Sequence, residues 1–393
     1  MRHDAWLRDD LRRLAAGGLQ RALRPVDGAQ GARVWVDGRD VLALCSNNYL
    51  GLADHPALID AAIAATRTYG VGAGASRLIS GSMRLHHELE AHLAAFKHSE
   101  AALLFTSGYH ANLGTISALV GPGDAVFSDA LNHASLIDGC RLSRAATYVY
   151  PHVDLAGLEE RLRAAPARRR LIVTDSIFSM DGDAAPLAAL CNLAEQYDAM
   201  LMVDEAHATG VLGPHGAGLV EALGLQARVA VQMGTLGKAL GCFGAYVAGS
   251  RAMIDYLVNH ARTFIFTTAL PPAVAAAAGA ALRLVESEPE RRAAVARNAR
   301  RLRHGLRQLG YDVTGAADCH IVPIVIGDPE ETMALSTALL NEGVFAHGIR
   351  PPTVPEGTAR IRATVMATHS DADIDAALAA FDAMRPAARR AAR

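Results

Sequence analysis

The sequence predicts an α/β protein with a mostly parallel sheet covered by helices and a smaller C-terminal α/β unit. Three observations predict it. Short, near-continuous apolar runs alternate with helical patterns, as expected for strands buried on both faces. Polar residues collect just after those runs, where open α/β sheets bind their ligands. A long helical stretch then separates the first set of runs from a second, shorter set.

In chain order, residues 4–23 read as helical. Val34-Trp35-Val36, Asp37-Gly38 and Val41 to Leu44 read as a hairpin turning on Asp-Gly. A helix over 56–69 precedes the glycine-rich stretch 70–81. Buried strands are expected at 101–105, 125–128, 146–150, 171–175, 200–204, 229–233 and 243–248, most of them separated by helices. A helical stretch follows over 271–308. Strands at 321–326, 344–347 and 359–364, with helices at 330–341 and 371–383, form the C-terminal unit. The expected divisions are an N-terminal helix and hairpin segment (1–45), a large domain (46–285) and a C-terminal α/β domain (286–393).

Composition narrows the function. The 393 residues are 51% hydrophobic and 20% charged, as in globular enzymes. A net charge of −2 argues against nucleic acid as a partner. Arg385, Arg389, Arg390 and Arg393 are expected to form a frayed tail. Cys45, Cys140, Cys191, Cys242 and Cys319 are scattered without a C-x-x-C pair, which suits reduced thiols. The polar, acidic N-terminus does not resemble a signal peptide, and the apolar tract Ala269 to Leu282 carries Pro271 and Pro272. A cytoplasmic protein without a membrane partner is expected.

Lysine usage singles out one residue. Of 38 Lys and Arg residues, two are lysine: Lys97 and Lys238. Arginine supplies charge but stays protonated, so it cannot attack a carbonyl. Lys97, in Phe96-Lys97-His98-Ser99-Glu100, reads as a solvated helix end. Lys238, in Gly234-Thr235-Leu236-Gly237-Lys238-Ala239-Leu240-Gly241, lies among small residues that no surface charge would need.

The strand ends supply partners for it. Strand 101–105 runs into Thr106-Ser107-Gly108-Tyr109-His110, a glycine turn opening a helix and hence a phosphate cradle. Strand 171–175 ends in Asp175 to Asp183, and strand 200–204 in Asp204-Glu205-Ala206-His207. Each alone could be a cap or a turn; four ends together, one bearing the isolated lysine, mark a site. An ATPase P-loop is excluded because Gly234 and Gly237 are too close and Ala239 follows the lysine. His87 and His92 are five residues apart, off the common helix face that a zinc-protease motif needs, and are expected at the surface; no metal is expected. A lysine, an aspartate, a histidine, hydroxyls and a phosphate-binding helix start describe a pyridoxal 5'-phosphate site.

Ser46-Asn47-Asn48-Tyr49-Leu50-Gly51-Leu52, Ser76-Arg77-Leu78-Ile79-Ser80-Gly81, Asn132-His133-Ala134-Ser135, Phe178-Ser179-Met180-Asp181-Gly182-Asp183, Asp204-Glu205-Ala206-His207 and Thr235-Leu236-Gly237-Lys238 occur in this order. With them the chain resembles the α-oxoamine synthases, fold-type I pyridoxal phosphate transferases, over about residues 20–383. Ile349 to Thr358 points to the branch that condenses L-alanine with a pimeloyl thioester, on CoA or a carrier protein, in biotin biosynthesis.

The resemblance implies roles. Lys238 carries the cofactor, Asp204 pairs with its ring nitrogen, His207 with its phenolic oxygen, and His133 stacks on the ring. Gly108, Tyr109, Ser179 and Thr235 surround it, mostly at the phosphate end. Thr267 and Thr268 reach the phosphate of a neighbouring subunit, so the resemblance implies a homodimer with shared active sites. Arg362 takes the amino-acid carboxylate, and Arg21, Asn47, His133, Arg350 and Thr353 meet substrate. A glycine-using synthase of the same family, a pyridoxal phosphate aminotransferase or lyase, and a non-enzymatic cofactor-binding protein remain open alternatives.

Overall fold

The computed structural model describes residues 3–385. Its centre is a seven-stranded sheet. In spatial order the strands are Ala101–Phe105, Ala245–Gly249, Val231–Thr235, Ala199–Asp204, Arg170–Asp175, Ala125–Asp129 and Ala146–Tyr150. Ala245–Gly249 runs antiparallel to both neighbours, and the other pairings are parallel. The carboxyl ends of the other six strands therefore share one edge.

Alternation within these strands explains their continuous hydrophobicity. Leu171 and Val173 pack into one cluster with Met202, Val231 and Val247, while Ile172 packs into another with Phe127, Leu201 and Val203. Helices cover both faces, so every side chain of Ala125–Asp129, Val231–Thr235 and Ala245–Gly249 is buried. Each Leu, Ile or Val removed from water in this way contributes roughly 1.5–3 kcal/mol.

Several boundaries differ from the sequence expectation. The first helix is Asp4–Ala16 rather than 4–23, because Gly17 and Gly18 end it, Gly18 at φ +66°. The helical stretch over 271–308 is two helices, Pro272–Ser287 and Pro289–Gln308. Pro289 has no N–H to continue the first, so the chain turns at Glu288. The expected strand over 344–347 is also two. Val344–Phe345 joins Arg39–Ala43 in parallel, and His347–Ile349 pairs with Ala359–Thr364. The N-terminal hairpin thus shares a sheet with a strand from the C-terminal region.

Arg385 does not fray. Its guanidinium donates to the Leu309 carbonyl and pairs with Asp382. Arg389, Arg390 and Arg393 lie outside the described residues. No described helix is long and apolar enough to cross a membrane.

Lys97 contradicts the solvated reading. It does cap a helix, Arg84–Phe96, but only 1% of it is exposed, and its ammonium donates to the Glu205 carboxylate and the Ala217 carbonyl. A helix end is solvated only if nothing folds over it; here the segment after the strand Ala199–Asp204 does.

Candidate active site

Four neighbouring strand ends supply the centre of the site. The strand Ala199–Asp204 ends in Asp204, whose carboxylate accepts from Ala206 N at 2.8 Å and from Asn112 Nδ2 at 2.7 Å. Its carbonyl accepts from both N and Oγ of Ser176, which fixes the strand end against its neighbour. His207 lies one turn further on, with its Nε2 2.9 Å from Lys238 Nζ and its Nδ1 2.7 Å from the Tyr49 hydroxyl. Lys238 follows the strand Val231–Thr235 in a turn closed by Gly241 N donating to its carbonyl. Gly241 has φ +63°, and a Cβ there would lie 2.5 Å from Ala53 N, so the turn requires glycine.

His133 caps the helix Ala134–Ser143, and its own N–H donates to Asp175 Oδ2 at 2.7 Å. Asp175 is the register partner of Asp204, at the end of the adjacent strand. The helix Gly108–Leu119 begins at the same sheet edge, capped by Ser107 accepting from His110 N. Its first turn presents N–H groups that have no intrahelical acceptor.

Burial and charge set the protonation states. Burial drives the Lys238 amine down to about 8, against the opposing pull of Asp204 and Asp175, while Arg362 lowers it further. Burial, together with Lys238 and Arg362, holds His207 well below the usual imidazole range, so it is neutral. Burial and the Asp204 charge push Asp175 well above the usual carboxylate range. His133 is lowered by burial and by Lys238, with Asp204 opposing.

The C-terminal domain supplies a cation to this edge. Arg362, on the strand Ala359–Thr364, is 7% exposed and donates through Nε to the Ser179 carbonyl and through both terminal nitrogens to Asn47 Oδ1 at 3.4 Å. Two residues earlier on the same face of the strand, Arg360 pairs with Asp181 at 2.6 Å. The two arginines hold the Ser179–Asp181 loop from one side. Thr235 lies beside Lys238, its Oγ1 accepting from Gly237 N and donating to the Gly244 carbonyl.

Other expected residues lie further out. Tyr109 turns its ring outward and its hydroxyl donates to Asp138, leaving its backbone at the helix start. Thr267 and Thr268 line a small cavity with Arg77, Thr106 and Phe264, and Thr268 is exposed. Arg350 donates to the Gln20 carbonyl, which brings the exposed Arg21 segment towards it, and Thr353 N donates to the Arg350 carbonyl. These form a second, outer group.

The profile of the aminotransferase class I and II family matches residues 39–381. An 8-amino-7-oxononanoate synthase of Geotalea daltonii is 55% identical over 95% of this chain and 96% of its own length. The enzyme of that name from Geobacter sulfurreducens is 56% identical, covering 95% and 96%. A serine palmitoyltransferase from S. paucimobilis, solved with bound PLP–myriocin aldimine, superposes with a TM-score of 0.92 at 33% identity over 97% of each chain. The chain belongs to the α-oxoamine synthases.

The residues present fit the cofactor of this family. A buried carboxylate, a neutral imidazole beside a lysine of lowered pKa, and a capped helix start converge on one edge of the sheet. That is the donor set a pyridine nitrogen, a phenolic oxygen, an aldehyde and a phosphate require.

Four residues at this site escaped sequence reasoning about roles. Asn112 is fully buried and holds Asp204; the one available signal is a polar residue on the apolar stripe Ala111, Thr115, Ile116 and Leu119 of its helix. Tyr49 lies inside a quoted motif, yet its link to His207 spans 158 residues. Asp175 reads from its local sequence as a polar strand end and nothing more. His320 packs edge-on to Tyr49, ring centroids 4.1 Å apart, with burial, Arg362 and Lys238 lowering it to about 3. Nothing in its local sequence signals this.

Proposed function

We propose that the chain condenses L-alanine with a pimeloyl thioester, releasing CoA (or a carrier thiol) and CO2 and giving 8-amino-7-oxononanoate. The observation that carries the reading is near-full-length identity of 55% to a synthase of that name, with a lysine, an aspartate and a histidine gathered at one sheet edge.

Pyridoxal 5'-phosphate, when bound, supplies an aldehyde for the amine and an electron-poor ring that stores the electron pair left on the amino-acid Cα. Lys238 would hold it covalently, Asp204 would pair with its ring nitrogen and His207 with its phenolic oxygen. His133 would stack on the ring, with Gly108, Tyr109, Ser179 and Thr235 towards the phosphate. Thr267 and Thr268 would reach the corresponding site of a second copy, making the active unit a homodimer.

The protein's own groups then have separable tasks. Asp204, held by Asn112 and Ala206 N, keeps a negative charge fixed at one end of the site. His207 is neutral and can accept a hydrogen bond at Nε2 while Tyr49 fixes its other nitrogen. Lys238, with its amine near neutrality, removes the Cα proton and later returns one. Arg362 offers its guanidinium to the amino-acid carboxylate, with Asn47 orienting it. Arg21, Arg350 and Thr353 would meet the acyl chain.

A panel of amino acids and acyl thioesters, scored by thiol release and product mass, tests the reading. L-Alanine with a pimeloyl thioester should turn over fastest. Preference for glycine or serine with another acyl group would assign the chain to a different synthase. Lys238→Arg should fold normally and lose turnover; appreciable activity in that variant would remove the central claim.

A further inference from the structure

His98, His215 and Glu221 have no task in the reaction, yet they converge on the surface. His98 follows the helix Arg84–Phe96 with a left-handed φ of 51°, and His215 lies in the glycine-rich segment before Leu219–Ala222, the short helix that carries Glu221. His215 Nδ1 lies 2.7 Å from Glu221 Oε1, and His98 Nε2 lies 3.6 Å from the same oxygen. One ligand atom from each residue falls within 4.8 Å of the others, and among the described residues this is the one such cluster of three His, Cys, Asp or Glu.

The carboxylate is built into place. Its second oxygen accepts from Ala217 N at 2.9 Å and His215 N at 3.2 Å, which aims Oε1 between the two imidazoles. Gly213 makes room for it, since a Cβ there would lie 2.2 Å from Glu221 Oε2. The Glu221 side chain is 5% exposed, whereas His98 and His215 are 49% and 72% exposed, so an ion could approach from solvent.

We propose that His98, His215 and Glu221 bind one borderline divalent d-block ion of the Zn2+ class, with water completing a tetrahedral set. Two imidazoles and one carboxylate favour such an ion over Mg2+ or Ca2+, which take oxygen ligands. Ligand bonds of about 2.0–2.2 Å set ligand atoms roughly 3.3 Å apart in a tetrahedron. The 3.6 Å separation already approximates this, and the 2.7 Å hydrogen bond must open by about 0.6 Å to reach it. The ion takes the Nδ1 lone pair of His215, and the proton there moves to Nε2 of this 72% exposed side chain; the carboxylate loses no proton.

The ion would clamp the helix end carrying Lys97 to the segment covering Glu205. Ala217 accepts from Lys97, Val220 N donates to Glu205 at 2.9 Å, and Glu205 adjoins Asp204. Metal binding should therefore raise thermal stability without altering the catalytic groups.

The test uses chelator-treated holoenzyme titrated with Zn2+ against a chromophoric indicator, with Co2+ absorbance as a second readout. One ion per chain should bind in the micromolar range or tighter, with the visible bands of four-coordinate Co2+ and a raised melting temperature. His98→Ala and His215→Ala should each weaken binding at least about tenfold and abolish the thermal gain, with activity unchanged. Both side chains are exposed, so neither variant should fail to fold. No binding at millimolar Zn2+, or unchanged affinity in the double His98→Ala/His215→Ala variant, would overturn the proposal.

Discussion

The chain's two lysines show how strongly a residue depends on its neighbours. Both are at least partly buried, and burial disfavours an ammonium. At Lys97 that effect is outweighed by the Glu205 carboxylate, which raises the pKa above the ordinary value. At Lys238 burial prevails and the amine sits at about 8. Incorporation of pyridoxal 5'-phosphate into apoprotein should therefore accelerate as pH rises through about 8 and level off above it, followed by absorbance in stopped flow. A midpoint above 10 would show an ordinary solvated lysine. Asn112 is the other residue whose effect can be isolated. Replacing it with Leu removes a hydrogen bond to a charged acceptor, an interaction worth about 1.5–3 kcal/mol. Cofactor affinity or kcat should fall by roughly 10- to 100-fold, while the unfolding midpoint shifts little by comparison.

Elements hold the site through paired charges at their ends. Lys97 ties the end of the helix Arg84–Phe96 to Glu205, just beyond the strand Ala199–Asp204, and both side chains are dry. Lys97→Met leaves the Glu205 charge buried without its partner and should cost about 3–5 kcal/mol in urea unfolding. Lys97→Met combined with Glu205→Gln should recover part of that loss. His152 clamps two other elements. Its Nδ1 lies 2.9 Å from Asp129, at the end of the strand leading to His133, and its Nε2 lies 2.8 Å from Asp183, in the Ser179 loop. Burial disfavours the imidazolium there, but the two carboxylates outweigh it and raise the pKa to about 10. A histidine raised in the folded state stabilises fully below its unfolded pKa near 6.5 and loses that contribution as pH climbs to about 10. The stability gap between the wild type and His152→Asn should be widest near pH 6 and shrink steadily towards pH 10.

At the scale of the whole molecule, Thr267 and Thr268 line a small cavity with Thr106, and their proposed role at a neighbouring site requires a second copy. Subunit complementation separates the possibilities. Lys238→Ala and Thr268→Asp should each be inactive alone. Mixed dimers should regain activity, because one of their two sites then receives Lys238 from one subunit and Thr268 from the other. Absence of recovery in verified mixed dimers would confine the site to one chain. The smaller C-terminal domain matters at this scale too. It delivers Arg362 to the sheet edge from a strand more than a hundred residues after Lys238.

The sequence by itself determined the strand and helix order, the polar strand ends and the isolation of Lys238. These are legible because a strand's alternation, a glycine turn and a two-residue gap between Asp204 and His207 are local properties of the chain. The helix breaks at Gly17-Gly18 and Pro289 are local too, whereas the other errors occurred where the outcome depended on distant partners. Lys97 has the local pattern of a solvated helix end, but Glu205, 108 residues away, makes burial tolerable. Asn112 meets Asp204 across 92 residues, and Tyr49 meets His207 across 158. Only the tertiary structure decided those pairings, because charge burial and hydrogen-bond satisfaction depend on which elements pack together, and no local periodicity encodes that.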